Sequence, residues 1–195
     1  MSYRLETAAL TKACASPDGA VSGQGHDAHF VCLEPDALPV IIDVEASGFG
    51  YGSYPIEIAF VLADGRVEER LIKPMEHWNH WDAEAQRLHG ISRDTLINEG
   101  APASEVAHWL NERLALLEVV YSDSWGFDSS WIGRLFNDTH IIQRFRLESL
   151  RKLLRESQLA KWEQTRREIE QTLKLTRHRA GNDVRVLQAT YSHSL

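Results

Sequence analysis

Apolar and polar positions fall into a clear order from residue 38 onward. Val40-Ile41-Ile42 is continuously apolar and leads through Asp43-Val44-Glu45 into Ala46-Ser47-Gly48-Phe49-Gly50, which predicts a buried strand ending in a glycine-rich turn. Residues 56–62 are β-branched and apolar, and Asp64-Gly65 is a two-residue hairpin signal joining them to a third strand over 67–72. A loop with two Trp and two His is predicted over 74–81, then a helix over 82–88 that stops at His89-Gly90. Pro102 opens another helix, whose apolar positions Val106, Leu110, Leu114 and Leu117 recur at helical spacing, with Ser104 as candidate cap. A strand over 119–121, a helix over 127–136 and a short strand over 145–147 follow. Two helices, 150–173 and 184–191, complete the chain, with a break around 179–182. Strands first, then helices alternating with strands, predict a mixed sheet flanked by helices: an α/β or α+β three-layer domain.

Residues 1–37 show no sustained period and carry the breakers Ser16-Pro17-Asp18-Gly19 and Gly23-Gln24-Gly25, so they read as an N-terminal extension to a domain over 38–195. The most apolar stretch, 38–44, is far shorter than the roughly 20 residues a membrane span needs, and the N-terminus lacks an apolar signal core. A cytoplasmic protein with no membrane partner is expected. Cys14 and Cys32 support neither a disulfide framework nor a zinc ribbon and read as reduced thiols.

The net charge of −7 hides a division along the chain. From Arg144 to Arg185 there are 12 Lys and Arg against 6 Asp and Glu, whereas the remainder holds 9 against 22. Such a basic third either faces phosphates or is the solvated side of helices.

Asp43 and Glu45, two apart on a strand, leave the same face next to the glycine turn. Two like charges there either lie in solvent or are neutralised by a cation, and oxygen ligands of this kind suit magnesium or manganese. Asp128 follows the 119–121 strand at the start of a helix, where a cap is the plainer role, and Asp123 competes with it. His178 and Asp183 cannot share a face of one continuous helix, since five residues turn through about 140° relative to one another. They converge if His178 lies in a loop and Asp183 on the first turn of the next helix, which Gly181-Asn182 allows. His77, His80 and His89 have zinc-like ingredients without a fourth ligand, and read as solvated histidines.

Taken in order, Asp43-Val44-Glu45-Ala46-Ser47-Gly48, then Phe127-Asp128, then His178-x-Ala180-x-x-Asp183 resemble the three exonuclease motifs of the DEDDh family, and Leu88-His89-Gly90-Ile91-Ser92 resembles its His-Gly-Ile-Ser/Thr segment. The chain departs from that family at Ser122-Asp123, where His-Asn is common, and at Ser47, where Thr is usual. The resemblance implies a ribonuclease H-like fold and a 3′→5′ exonuclease acting on the 3′ end of single-stranded or short nucleic acid. By the same resemblance, Asp43, Glu45, Asp128 and Asp183 hold two Mg2+ or Mn2+ ions and His178 is the general base, a role suited to a side chain that titrates near neutrality.

Glu45 would also meet the terminal 3′-hydroxyl, with Ser47, Gly48, Phe49 and His89 beside the substrate. Phe49 either stacks on a base or packs in the core; Trp78 and Trp81 are candidates for a substrate wall or a dimer contact. Several relatives dimerise, which leaves a homodimer open. The alternative is a nucleic-acid-binding or scaffold protein on the same fold with catalysis lost. No nucleophile elbow supports a serine or cysteine hydrolase.

Overall fold

The computed structural model describes residues 37–195. The predicted extension, apart from its last residue, and both cysteines lie outside the described residues. Strands β1 (Ile41–Ala46), β2 (Pro55–Val61) and β3 (Val67–Lys73) pair antiparallel in sequence. The two-residue β4 (Ala101–Pro102) adds parallel to β3, while β5 (Val120–Ser122) and β6 (Leu147–Ser149) extend the other edge in parallel, giving the order β4-β3-β2-β1-β5-β6. The hairpin between β2 and β3 differs from the two-residue turn expected. Leu62 N–H bonds the Arg66 carbonyl across three residues, and Gly65 takes the left-handed conformation that closes such a loop.

Strand parity builds the two outer layers. Ile42, Val44 and Ala46 of β1 face one layer, made of α2 (Arg93–Glu99), α3 (Ala103–Leu114) and α4 (Trp125–Asp138), whose Leu96, Val106, Leu110, Ile132 and Leu135 are fully buried. Ile41, on the opposite face, packs with Ala59 and Val61 against Trp162 of α5 (Glu156–Leu173) and Val184 and Leu187 of α6 (Ala180–Ser194). Burying Val184 and Leu187 stabilises α6 on the sheet by roughly 1.5–3 kcal/mol each. Alternation therefore puts Asp43 and Glu45 on the α6 side of β1.

The helix over 93–99 has no long apolar repeat and went unpredicted. Its start is set by Ser92, whose hydroxyl accepts the Thr95 N–H. The predicted helix before it is α1 (Ala83–His89), capped by Asp82 and closed by left-handed Gly90. Ser104 is no cap: α3 begins directly after Pro102 and makes no side-chain cap bond. The last break also moves. It falls at residues 174–179, and α6 starts at Ala180, with Gly181 inside its first turn. A Cβ there would meet the end of the exposed Glu69 side chain, which would have to swing aside. Among the described residues no helix is long and apolar enough to cross a membrane.

Candidate functional site

A cleft of about 310 Å3 opens where β1 ends. The strand supplies Asp43 and Glu45, α4 supplies Asp128, and the α5–α6 connection with the first turn of α6 supplies His178 and Asp183. Crevices at the carboxyl ends of strands are the usual sites in open α/β sheets. One ligand atom each from Glu45, His178 and Asp183 lies within 4.8 Å of the others.

Local structure explains the convergence. Asp183 is on the first turn of α6, and its Oδ2 accepts the backbone N–H of His178 at 3.1 Å. His178 itself has φ +59°, a left-handed conformation in which His is among the commoner non-glycine residues. The next residue anchors the turn: Arg179 grips the buried Glu57 of β2 with Nε–Oε2 at 3.1 Å and Nη2–Oε1 at 2.6 Å, while Glu57 Oε2 also accepts the Ala180 N–H at 3.0 Å. Glu57 sits opposite Glu45 in the β1–β2 register, so this clamp ties the α6 start to the strand paired with the one that carries the carboxylates.

Asp128 is buried and accepts a hydrogen bond from the Ser122 hydroxyl at the end of β5. Asp123 also borders the cleft, but Arg166 of α5 holds it at 2.8 Å. Among the described residues, none of Asp43, Glu45, Asp128 and Asp183 forms an ion pair with Lys or Arg.

Their electrostatics follow from crowding that nearby cations offset only in part: Arg179 lowers Glu45, and His178, Arg166 and Arg177 lower Asp183. Burial pushes Asp43 well above the usual carboxylate range, and the neighbouring Asp128, Glu45 and Asp183 add to it. Burial, then Asp183, raises Glu45 to about 7. Burial likewise raises Asp128 to about 7, against the Ser122 hydrogen bond, and raises Asp183. A set of one buried and three half-buried carboxylates, none of them in an ion pair with Lys or Arg, is a hard-oxygen donor set of the kind divalent ions take. The residues thus fit magnesium or manganese.

A pH dependence follows. Because these carboxyls hold protons more tightly folded than unfolded, the native state binds more protons between about pH 4 and 7. Metal-free protein should therefore lose stability as pH rises through that window. We expect its melting temperature in chelator to be about 5–10 °C lower at pH 8 than at pH 5, and added Mn2+ at pH 8 to restore it. A melting temperature in chelator that climbs over this range would contradict the assigned cluster.

The remaining residues divide. Phe49 is 60% exposed at the cleft edge, so it is not core packing; its ring meets Phe127 edge-on at 5.1 Å and Trp131 at 5.8 Å. Gly48 lines the cleft at φ +136°, and a Cβ there would press on Asp82 and His80. Ser47 is buried inside the turn, accepting the Tyr54 N–H at 3.1 Å and bonding His80 Nδ1 at 3.0 Å, and it does not line the cleft. His89 borders the cleft but is buried rather than solvated. Its Nδ1 accepts the Ile91 N–H, and its Nε2 has no partner among the described residues.

His77 pairs with Asp138 and His80 with Ser47, so the zinc-like histidines are not assembled into one site. Trp78 is fully buried against Tyr54 at 4.9 Å, which removes it as a substrate wall or dimer contact, and Trp81 is half-buried with Nε1 on Gln86. Phe127, Trp131, Arg166 and Arg177 also line the cleft and were not singled out from sequence as site residues. Only Phe127 carried a signal, as the neighbour of Asp128.

No family model matches the sequence, and no curated protein matches it. Solved structures do. The Escherichia coli exonuclease I complex with single-stranded DNA, in its zinc-bound form, aligns with TM-score 0.61 and 14% identity over 80% of this chain and 40% of that chain. The same enzyme with a dA16 oligonucleotide gives 0.56 and 14% over 77% and 39%. Exonuclease I of Methylocaldum szegediense gives 0.51 and 14% over 64% and 29%. The chain thus spans well under half the length of these exonuclease I chains. The fold is the α/β, ribonuclease H-like fold that these exonuclease I structures share, the fold that the motif order implied.

Proposed function

We propose that the protein is a metal-dependent 3′→5′ exonuclease acting on single-stranded or short nucleic acid. The observation that carries this reading is the meeting of four unpaired carboxylates and His178 in one cleft edged by exposed aromatic rings. Asp43, Glu45, Asp128 and Asp183 would hold two Mg2+ or Mn2+ ions. Bound there, such ions lower the pKa of a ligated water and stabilise charge on the attacking and leaving oxygens of an in-line displacement. The chain's own groups do the rest. His178, fixed by its backbone bond to Asp183, accepts the proton of the attacking water on an imidazole nitrogen. Phe49 and Phe127 offer ring faces to the terminal bases without regard to sequence. Glu45 receives the terminal 3′-hydroxyl beside Phe49. His89 Nε2, its Nδ1 already accepting a backbone N–H, is free to donate to the substrate. The E. coli exonuclease I structures above hold single-stranded DNA, which accords with a single-stranded substrate.

The test is incubation with 3′- and 5′-labelled RNA and DNA oligomers in Mg2+, Mn2+ or chelator. A ladder shortening from the 3′ end is expected, abolished by chelator. His178→Ala should be slower by about 10²–10⁴-fold, the usual worth of a general base, with oligomer binding retained. Folded wild type that binds oligomers and cleaves none under either metal would overturn the reading in favour of a binding protein.

A further inference from the structure

Beside the cleft, on the adjoining side of α4, lies a groove of about 550 Å3 lined by Trp125, Ser129, Gln143, Arg144, Phe145, Arg146 and Leu147. Trp125 is 44% exposed although it is the largest side-chain type. Its only polar side-chain atom, Nε1, donates to the Leu147 carbonyl at 3.1 Å, so the indole is pinned to the sheet edge and its exposed side-chain surface is carbon. Arg144 and Arg146 are exposed, and among the described residues neither forms an ion pair. The nearby Glu148 carboxylate is taken by Lys152.

The backbone that carries the two arginines is fixed from several sides. Asn111 bonds both the Ile142 carbonyl at 2.8 Å and the Arg144 N–H at 2.9 Å, the Gln143 side chain bonds the Phe145 carbonyl at 2.9 Å, and the Val120 N–H bonds the Arg146 carbonyl at 2.9 Å. A rigid, uncapped aromatic surface flanked by two unpaired guanidinium groups is the chemistry that takes a base and its phosphates. It stands out against a remainder of the chain that is strongly acidic.

The groove and the cleft share one helix. Ser124, Phe127, Asp128 and Trp131 line the cleft, whereas Trp125 and Ser129, four apart and so on one face, line the groove. At 100° per residue the two faces are separated by roughly 130°, which puts the sites about one helix diameter, ~10 Å, apart. We propose that this groove is a second nucleotide site, in which Trp125 stacks on a base upstream of the 3′ end and Arg144 and Arg146 hold the flanking phosphates of a single-stranded oligonucleotide. The proposal rests on the exonuclease reading for the direction of the strand.

The test compares wild type, Trp125→Ala, Trp125→Phe and the double variant Arg144→Ser/Arg146→Ser on dinucleotides and decanucleotides. In chelator, Trp125→Ala should weaken decanucleotide binding by roughly 5- to 150-fold, the range of one base stack, and Trp125→Phe should restore most of it. The double variant should flatten the slope of log affinity against log salt by about 1.4, the worth of two single-strand phosphate contacts. In Mg2+, Trp125→Ala should raise KM for the decanucleotide and leave kcat and dinucleotide cleavage unchanged, a split that mere loosening of the fold would not give. Wild-type decanucleotide affinity and KM in Trp125→Ala would overturn the groove while leaving the exonuclease intact. Trp125-dependent binding by a wild type that cleaves nothing would keep the groove and sink the exonuclease.

Discussion

Replacing Asp43 by Asn is expected to abolish metal-supported hydrolysis while making the metal-free protein more stable. The two effects come from one cause. Asp43 is a carboxylate that burial and all three of its partners push upward together, so its charge is unfavourable when no cation is bound. An amide of the same shape removes that repulsion. At pH 8 in chelator the gain should be about 2 kcal/mol, or about 4–8 °C in melting temperature for a chain of this size. The same change removes a negative oxygen from the set proposed to hold the ions, and losing some 4 kcal/mol of transition-state stabilisation lowers the rate about 10³-fold. Thermal melts with and without Mn2+, beside oligomer hydrolysis, check both halves. A variant that hydrolyses like wild type, or one that melts below it in chelator, would show that Asp43 is not part of an ion-holding cluster.

The fold was legible because β1 writes its two faces in alternate letters. Ile42, Val44 and Ala46 face one helical layer, and the odd positions Asp43 and Glu45 interrupt the apolar run on the other, at the strand end where ligands gather. The motif order then fixed which distant segments should meet them. What stayed hidden was whatever depends on a partner far off in sequence. Nothing near Glu57 indicates that it is buried, since only Arg179, 122 residues later, makes that burial tolerable. Trp78 looked like a surface residue in a polar loop, yet the loop folds it against Tyr54 and lets Nε1 reach Asp138 at 2.5 Å. Gly181-Asn182 resembled a chain break because a glycine that permits close approach and one that ends a helix read alike. Ser122-Asp123 was ambiguous for the same reason: only the position of Arg166 separates an ion-paired Asp123 from the unpaired Asp128.

Replacing Arg179 by Met should be the most destabilising single change near the site, and it should act on the cleft without touching it. Glu57 is about 1% exposed, and its carboxylate accepts from the Arg179 guanidinium and from the Ala180 N–H. Removing the guanidinium leaves a buried charge with one backbone donor, a loss of about 2–3 kcal/mol, less than for a fully buried pair because the Arg179 side chain is 39% exposed and already admits water. The matched change Glu57→Gln/Arg179→Met removes both charges together and should recover most of that loss, since the cost lies in the orphaned carboxylate more than in the lost attraction. Recovery of stability need not restore function. The clamp is what holds the turn from His178 to Ala180 onto the strand beside Glu45, so the double variant should fold, melt near wild type and still bind Mn2+ more weakly, because Asp183 and His178 are no longer held in register with Glu45. Chemical unfolding and Mn2+ titration of the three variants separate these effects. If the double variant proves as unstable as Arg179→Met, packing around the guanidinium stem, and not the buried charge, is what the clamp contributes.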